Sequence, residues 1–180
     1  KDGIKRMYGQ DDPRDSDVLY YLTVYNEPIE QPAEPENLDV EGLLRGIYKL
    51  DDHSNSGGPK AQILASGVGV PWAREARKIL AEEWGVDAAV WSVTSWNELR
   101  RDGVDADLHN YLHPSEEPHV PFVAQQLAGT EGPYVATSDW ATLVHDQIRP
   151  WIPGQYLTLG TDGFGISDTR RAAPWPYQLL

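Results

Sequence analysis

The chain has 180 residues, enough for one domain. At 40% hydrophobic and 24% charged it is not a disordered composition and needs no covalent staple. It has no cysteine, which excludes disulfides, a thiolate nucleophile and Cys-ligated zinc or iron–sulfur centres, and which fits a cytoplasmic setting. Fifteen basic residues against 28 acidic ones give a net charge of −13, so a nucleic-acid backbone is excluded as a partner.

Taken in chain order, Ile4 to Tyr8 reads as the last turn of a helix ended by Gly9, and residues 10 to 17 as a loop. Val18 to Tyr25 (VLYYLTVY) is apolar, aromatic and β-branched, which predicts a strand covered on both faces. Asn26 to Asn37, with three prolines and four glutamates, predicts a linker; its carboxylates lack the Asp/Asn and Gly alternation of a calcium loop. Asp39 caps a short predicted helix to Gly46, Ile47 to Leu50 is a short strand, and Asp51 to Lys60 a flexible loop.

Then the rhythm changes to alternating strands and helices. Ala61 to Ser66 is a buried strand, and Gly67-Val68-Gly69 turns into a helix from Pro71 to Trp84 ended by Gly85. Trp72, Ala76, Ile79, Leu80 and Trp84 form its expected buried stripe, with Arg77 on the wet side. Ala88 to Val93 is a second buried strand, and Thr94 or Ser95 caps a helix to about Arg101. Phe122 to Leu127 fits strand or helix. Tyr134 to Thr137 is a strand, a helix capped by Ser138 or Asp139 runs to about Ile148, and Tyr156 to Leu159 is the last strand. The alternation predicts an α/β fold of three layers, a mainly parallel sheet with helices on both faces. The longest apolar stretch, Ala61 to Val70, is too short to span a bilayer, so no membrane is expected. The chain starts without Met or a signal-peptide core, which suggests a processed chain or a piece of a longer one.

Two places are candidates for binding. Ser66, Gly67 and Gly69 form a strand–turn–helix, where free N–H groups at a helix start would hold an anion or the turn would meet another surface. Trp72 stands where a dinucleotide fingerprint has its third glycine, and Pro71 lacks a donor, so a purely structural turn is the competing reading. The second is the loop after the last strand, Gly160 to Asp168, with Gly160, Asp162, Phe164 and Gly165 as candidate interface or ligand residues. His109 and His113 have the i, i+4 spacing of a zinc pair, but Asn110 replaces the general-base Glu and Pro114 ends the helix. His119 lies between prolines. No metal site is therefore expected. A Ser66–His145–Asp139 triad lacks its nucleophile elbow.

Longer stretches carry a resemblance. VLYYLTVYNEPIEQPAEPE, EGLLRGIYKL, QILASG, DAAVWSVTSWNELRRDG, LHP, SDW and LGTDGFGISDTR resemble, in order, the C-terminal part of the bacterial homodimeric pyruvate dehydrogenases. The resemblance runs from Lys1 to about Ala173, in wording closest to actinobacterial members. The GxDxFGxS loop is similar to transketolase C-terminal domains generally. Residues 174 to 180 (PWPYQLL) do not share it.

The resemblance implies three parts: residues 1–38 as the end of a preceding domain and a linker, 39–173 as a transketolase-like C-terminal domain, and 174–180 as a tail outside the family. It implies that the whole enzyme decarboxylates pyruvate with thiamine diphosphate and magnesium and passes the acetyl unit to a lipoyl group. Its partners would be a second subunit of a homodimer and the lipoyl-bearing acetyltransferase component. No residue here matches the family's cofactor or catalytic motifs, so neither catalytic nor cofactor-binding residues are expected. The domain's own task would be packing, and the chain alone would be inactive. The alternative is a free-standing, non-enzymatic α/β module that binds an anion or a protein partner.

Overall fold

A computed structural model describes residues 2–8, 18–25, 28, 33–54 and 57–163 of the chain. They fall in two units, Lys1–Gln31 and Pro32–Leu180.

In the first unit, α1 (Asp2–Tyr8) buries no residue. The predicted strand over Val18 to Tyr25 does not form: those residues have no regular structure, and Leu19, Tyr21, Leu22 and Val24 are exposed. A doubly covered strand needs a neighbour to pair with, and the described residues of this unit contain none. Tyr20 instead lies on α1. Arg6 donates to its hydroxyl at 3.1 Å, and that hydroxyl donates to Asp2 at 3.2 Å.

The second unit holds α2 (Val40–Arg45), β1 (Ile47–Asp51), β2 (Lys60–Ala65), α3 (Gly69–Trp84), β3 (Asp87–Val93), α4 (Trp96–Leu112), α5 (Phe122–Gln126), β4 (Tyr134–Thr137), α6 (Thr142–Asp146), a 3-10 turn (Arg149–Trp151) and β5 (Tyr156–Leu159). Asp39 caps α2 by accepting from the Gly42 N–H at 2.9 Å, and Gly46 closes it at φ +115°. The five strands run in the order β1-β3-β2-β4-β5. β3, β2, β4 and β5 are mutually parallel, and β1 lies antiparallel at the edge beside β3.

The chain goes from β2 to one side, to β3, and then back past β2 to β4. Right-handed crossovers in opposite directions put their helices on opposite faces. Accordingly Ala61, Ile63, Ala65, Ala88 and Val90 meet Val70 and Ala73 of α3 on one face. On the other, Leu64, Trp91, Val93, Tyr134, Ala136 and Tyr156 meet Trp96, Leu99, Phe122, Val123, Ile148 and Ile152. The α/β sheet with helices on both faces is as the sequence predicts. Its two faces are covered unequally, however. β4 and β5 turn Val135 and Leu157, paired in register, toward the α3 side, and Leu157 is 55% exposed.

The buried stripe of α3 differs from the expected one. Val70 and Ala73 are buried and Leu80 packs beside them, whereas Trp72, Ala76, Ile79 and Trp84 are exposed. The helix carries two apolar stripes, and only one can face the sheet. The floor beneath it is built of alanines, so the stripe with Ala73 approaches closely and the one with tryptophan cannot. Arg77, expected in water, donates from Nε to the Ala88 carbonyl at 2.9 Å and from Nη2 to the Asp52 carbonyl at 2.6 Å. Arg77→Ala is therefore expected to cost about 1–3 kcal/mol, the range for hydrogen bonds from a charged group. Ile79→Ala should cost less than about 1 kcal/mol at its exposed site. Urea denaturation of both variants ranks them, and a larger loss at Ile79 would reverse this placement.

Other elements shift for identifiable reasons. Ser95 caps α4, accepting from the Glu98 N–H at 3.2 Å, and the helix runs to Leu112 rather than Arg101. Gly103, which reads as a breaker, is there for packing: a Cβ would stand 2.6 Å from the Trp151 ring. Phe122–Gln126 is helix. α6 is a single short helix, Thr142–Asp146, and Ser138 and Asp139 precede it without capping it. The loop after β1 is held where it was expected to be free. Ser54 donates from N and Oγ to buried Asp87 at 2.7 and 2.9 Å, and the His53 ring pairs with the Asp87 carbonyl at 2.9 Å.

Candidate functional site

In an open parallel sheet, ligands bind beyond the carboxyl ends of the strands, where the strand order reverses. Here that point lies between β2 and β4. The turn Ser66–Gly69 leaves β2 there, and Ser138 leaves β4. Both sequence-predicted places, the Ser66 turn and the loop from Gly160, lie at this carboxyl edge.

The turn is made by its glycines. Gly67 stands at φ +55°. A Cβ on Gly69 would be 3.2 Å from the Thr137 carbonyl, so the small residue lets α3 start against the end of β4. Its polar groups are engaged within the fold. Gly69 N–H donates to the Ser66 carbonyl at 3.0 Å and Val70 N–H to the Gly67 carbonyl at 3.2 Å. The Ser66 hydroxyl accepts from the Trp96 indole at 3.0 Å. Two of the N–H groups at the helix start are thus spent on the turn itself.

The crevice beside the turn is filled from within. His145 is fully buried, its ring 5.5 Å from that of Trp96, and its Nδ1 lies 3.2 Å from the Ser138 hydroxyl. That hydroxyl also accepts from the Trp140 N–H at 3.1 Å. Tyr156 donates its hydroxyl to the His145 carbonyl at 2.7 Å. Burial pushes the His145 pKa down, because an imidazolium there would lose its water; the Leu159 carbonyl, Asp146 and Asp162 oppose this. The same cause pushes the Tyr156 phenol well up.

The last loop closes this edge. Gly160 cannot carry a side chain: its Cβ would stand 2.5 Å from the Trp140 carbonyl and 3.0 Å from the His145 ring. Asp162 accepts from the Thr142 N–H at 2.9 Å and from the Thr142 hydroxyl, which together lower its pKa. Phe164 and Gly165 lie outside the described residues. A nucleophile–histidine reading does not assemble from Ser66, since His145 pairs with Ser138 and Ser66 with Trp96. His145 is fully buried and Ser138 nearly so. What this arrangement does chemically is fasten the ends of β2, β4 and β5 to one another. Sequence reasoning missed Trp96 and the Ser138–His145 pairing. The signal available was one histidine at the inward position of a short helix beside SDW, and a lone histidine is weak evidence.

His109 and His113 are near one another at the end of α4. Among the described residues, no group of three or more His, Asp or Glu side chains is arranged to hold a metal ion.

The family model for the transketolase-like TK C-terminal domain matches residues 46–175. The chain is 55% identical over 171 residues to the pyruvate dehydrogenase E1 component of Mycolicibacterium smegmatis, covering 95% of this chain and 18% of that protein. It is 54% identical over the same length to the E1 component of Mycobacterium tuberculosis, and 46% identical over 170 residues to that of Escherichia coli K12. The chain thus spans about a fifth of the length of these relatives. Among solved structures, transketolase from Leishmania mexicana superposes at a TM-score of 0.50 with 18% identity, over 80% of this chain and 17% of that one, which speaks to the fold alone.

Proposed function

The chain belongs to the transketolase-like C-terminal domain family, homologous to the C-terminal part of pyruvate dehydrogenase E1, and on that premise we propose that it is the packing domain of such an enzyme. The whole enzyme, in this reading, is a cytoplasmic homodimer that decarboxylates pyruvate and hands the acetyl unit to a lipoyl group on the acetyltransferase component. Thiamine diphosphate would supply the carbanion chemistry there. No residue of this chain matches the family's cofactor or catalytic motifs, so in this reading thiamine diphosphate and magnesium are held by other domains of the whole enzyme. We therefore assign the domain no catalytic step.

The observation that carries a packing role is the unequal cover of the sheet. Parallel sheets are buried on both faces. Here the α3-side face of β4 and β5 presents Val135 and Leu157 with no helix of the described residues upon it, and the outer stripe of α3 adds exposed Trp72, Ile79 and Trp84. Such surface is meant to be covered, by the preceding domains or by a second subunit. The isolated chain should then self-associate. The −13 charge opposes this, so association should strengthen as salt screens it. Sedimentation of the pure chain at low and high salt tests the reading, with pyruvate, thiamine diphosphate and magnesium added to a parallel sample. The expected results are salt-promoted association and no CO₂ release above buffer. A monomer at both salts would count against the packing role, and catalysis by the chain alone would end it.

A further inference from the structure

The outer face of α4 carries a groove, an apolar patch and an aromatic knob in line. The helix turns Trp96, Leu99, Gly103 and Ala106 inward. On its outer side Val104, Leu108, Tyr111 and Leu112 are exposed, Tyr111 to 82%, at the i, i+4, i+7, i+8 spacing of one stripe. Toward the helix start this stripe runs into a groove of about 330 Å³. Asn97, Arg100, Arg101, Val104 and Asp105 of α4 line it, together with Gln147 just past α6. Gln147 donates to Asn97 Oδ1 at 3.1 Å, which ties the two walls together. Arg101 is held against Glu98 at 2.7 Å, and Arg100 is exposed.

We propose that this face binds the same face of a second copy of the chain, the two α4 helices antiparallel, with Tyr111 of each copy seated in the groove of the other. The spacing makes the face self-complementary. Arg101 in the groove and Tyr111 are ten residues apart, about 15 Å along the helix. The midpoint falls between Val104 and Leu108. A two-fold axis there sets Val104 of one copy on Leu108 of the other and delivers both tyrosines to both grooves at once. In a parallel pair the tyrosines would meet each other and the grooves would stay open to water. Inside the groove the ring meets Arg100 and Arg101, whose guanidinium groups favour an aromatic face. The phenol hydroxyl has the Asn97 and Gln147 amides as partners. Charge selects the same arrangement. Arg100 and Arg101 stand at one end of the face, and Glu116 and Glu117 just past the other. Antiparallel pairing sets opposite signs together and opposes the helix dipoles, whereas parallel pairing sets like signs together. Asp105 lies near the axis and repels its counterpart, which, with one helix of contact on each side, makes this a weak and reversible pair. α4 covers the sheet face opposite the one covered by α3, so pairing here is independent of the packing role.

The chain has no cysteine, so introduced thiols report the geometry without background. Asn97→Cys and Leu112→Cys chains are treated with a short bismaleimide, mixed and each alone. Antiparallel pairing brings residue 97 of one copy to about 5 Å along the axis from residue 112 of the other. Two residues 97 are then about 27 Å apart, and two residues 112 about 18 Å. Cross-linked dimer should therefore be about fivefold or more abundant in the mixture than in either chain alone. Tyr111→Ala in both chains should lower the yield about tenfold, as the loss of an interface anchor does, and Tyr111→Phe should keep most of it. Tyr111 is exposed, so neither change endangers the fold. Equal yields in the mixture and the single chains, no more product than in urea, or a yield indifferent to Tyr111→Ala would each overturn the pairing. A chain that self-associates in sedimentation yet gives no such cross-link would overturn it too, and would leave the packing role standing.

Discussion

Gly132→Ala is expected to be among the most damaging single substitutions in the chain, costing about 4 kcal/mol or preventing folding, against a total domain stability of only about 5–15 kcal/mol. Gly132 turns the chain into β4 at φ +90°. A Cβ there would stand 1.8 Å from the Lys60 carbonyl oxygen and 2.5 Å from its carbon. Both are backbone atoms, so no side chain can swing away. The backbone cannot yield either. The next residue's carbonyl accepts from Gln62 N–H at 2.9 Å, Glu131's carbonyl accepts from the Gln62 amide at 2.9 Å, and β2 and β4 are paired from Gln62 and Tyr134 onward. Alanine would have to pry apart the start of the central strand pair. Gly129→Ala is the control. It too has a positive φ, +72°, but with nothing within 4 Å of its Cβ, so it should lose only about 1–2 kcal/mol of left-handed strain. Urea denaturation of the two variants separates clash from strain. Equal losses at both positions would show that the Lys60 contact is not what excludes a side chain.

The core strands were legible because Ala61 to Ser66 and Ala88 to Val93 are largely apolar runs, interrupted by Gln62 and Ser92 and bounded by turn residues, and burial on both faces needs no long-range information. The choice between the two stripes of α3 was not legible. Both have helical spacing, and what decides is the alanine floor contributed by β2 and β3, which only tertiary packing brings beneath the helix. The length of α4 was not legible for a related reason: the partner of Gly103 inside it is Trp151, far along the chain. Val18 to Tyr25 has the composition of a strand, but composition cannot supply a neighbouring strand. At the carboxyl edge, the Ser66 turn and Gly160 stood out as glycine-rich turns. The residues that decide what the edge can do, Trp96 and His145, reach it from separate helices, and a lone histidine beside SDW is only a weak local mark.

His145 gives the last expectation, and its sign follows from burial. The folded state holds the imidazole below its usual pKa of about 6.5, so between that folded value and about 6.5 the unfolded chain binds more protons than the folded one. Stability must then rise with pH across this window. The contribution is complete above about pH 6.5 and is lost as pH falls below it, with a slope of at most about 1.4 kcal/mol per pH unit. Asp52, Asp146 and Asp162 are also lowered, by their hydrogen bonds to the His53 N–H, to Arg149 and to Thr142, but carboxylates act in a separate window below about pH 4. They are exposed, which makes their share small. His145→Gln is expected to flatten the dependence between about pH 5.5 and 7, since an amide can face Ser138 without titrating. His145→Ala, leaving a cavity and the buried Ser138 hydroxyl short of a partner, should cost about 2–5 kcal/mol at neutral pH. Urea midpoints of the parent and both variants across this range provide the check. A parent and a His145→Gln variant with parallel pH profiles would mean that folding leaves the imidazole's proton affinity unchanged, and that the seal at the carboxyl edge does not depend on its being neutral.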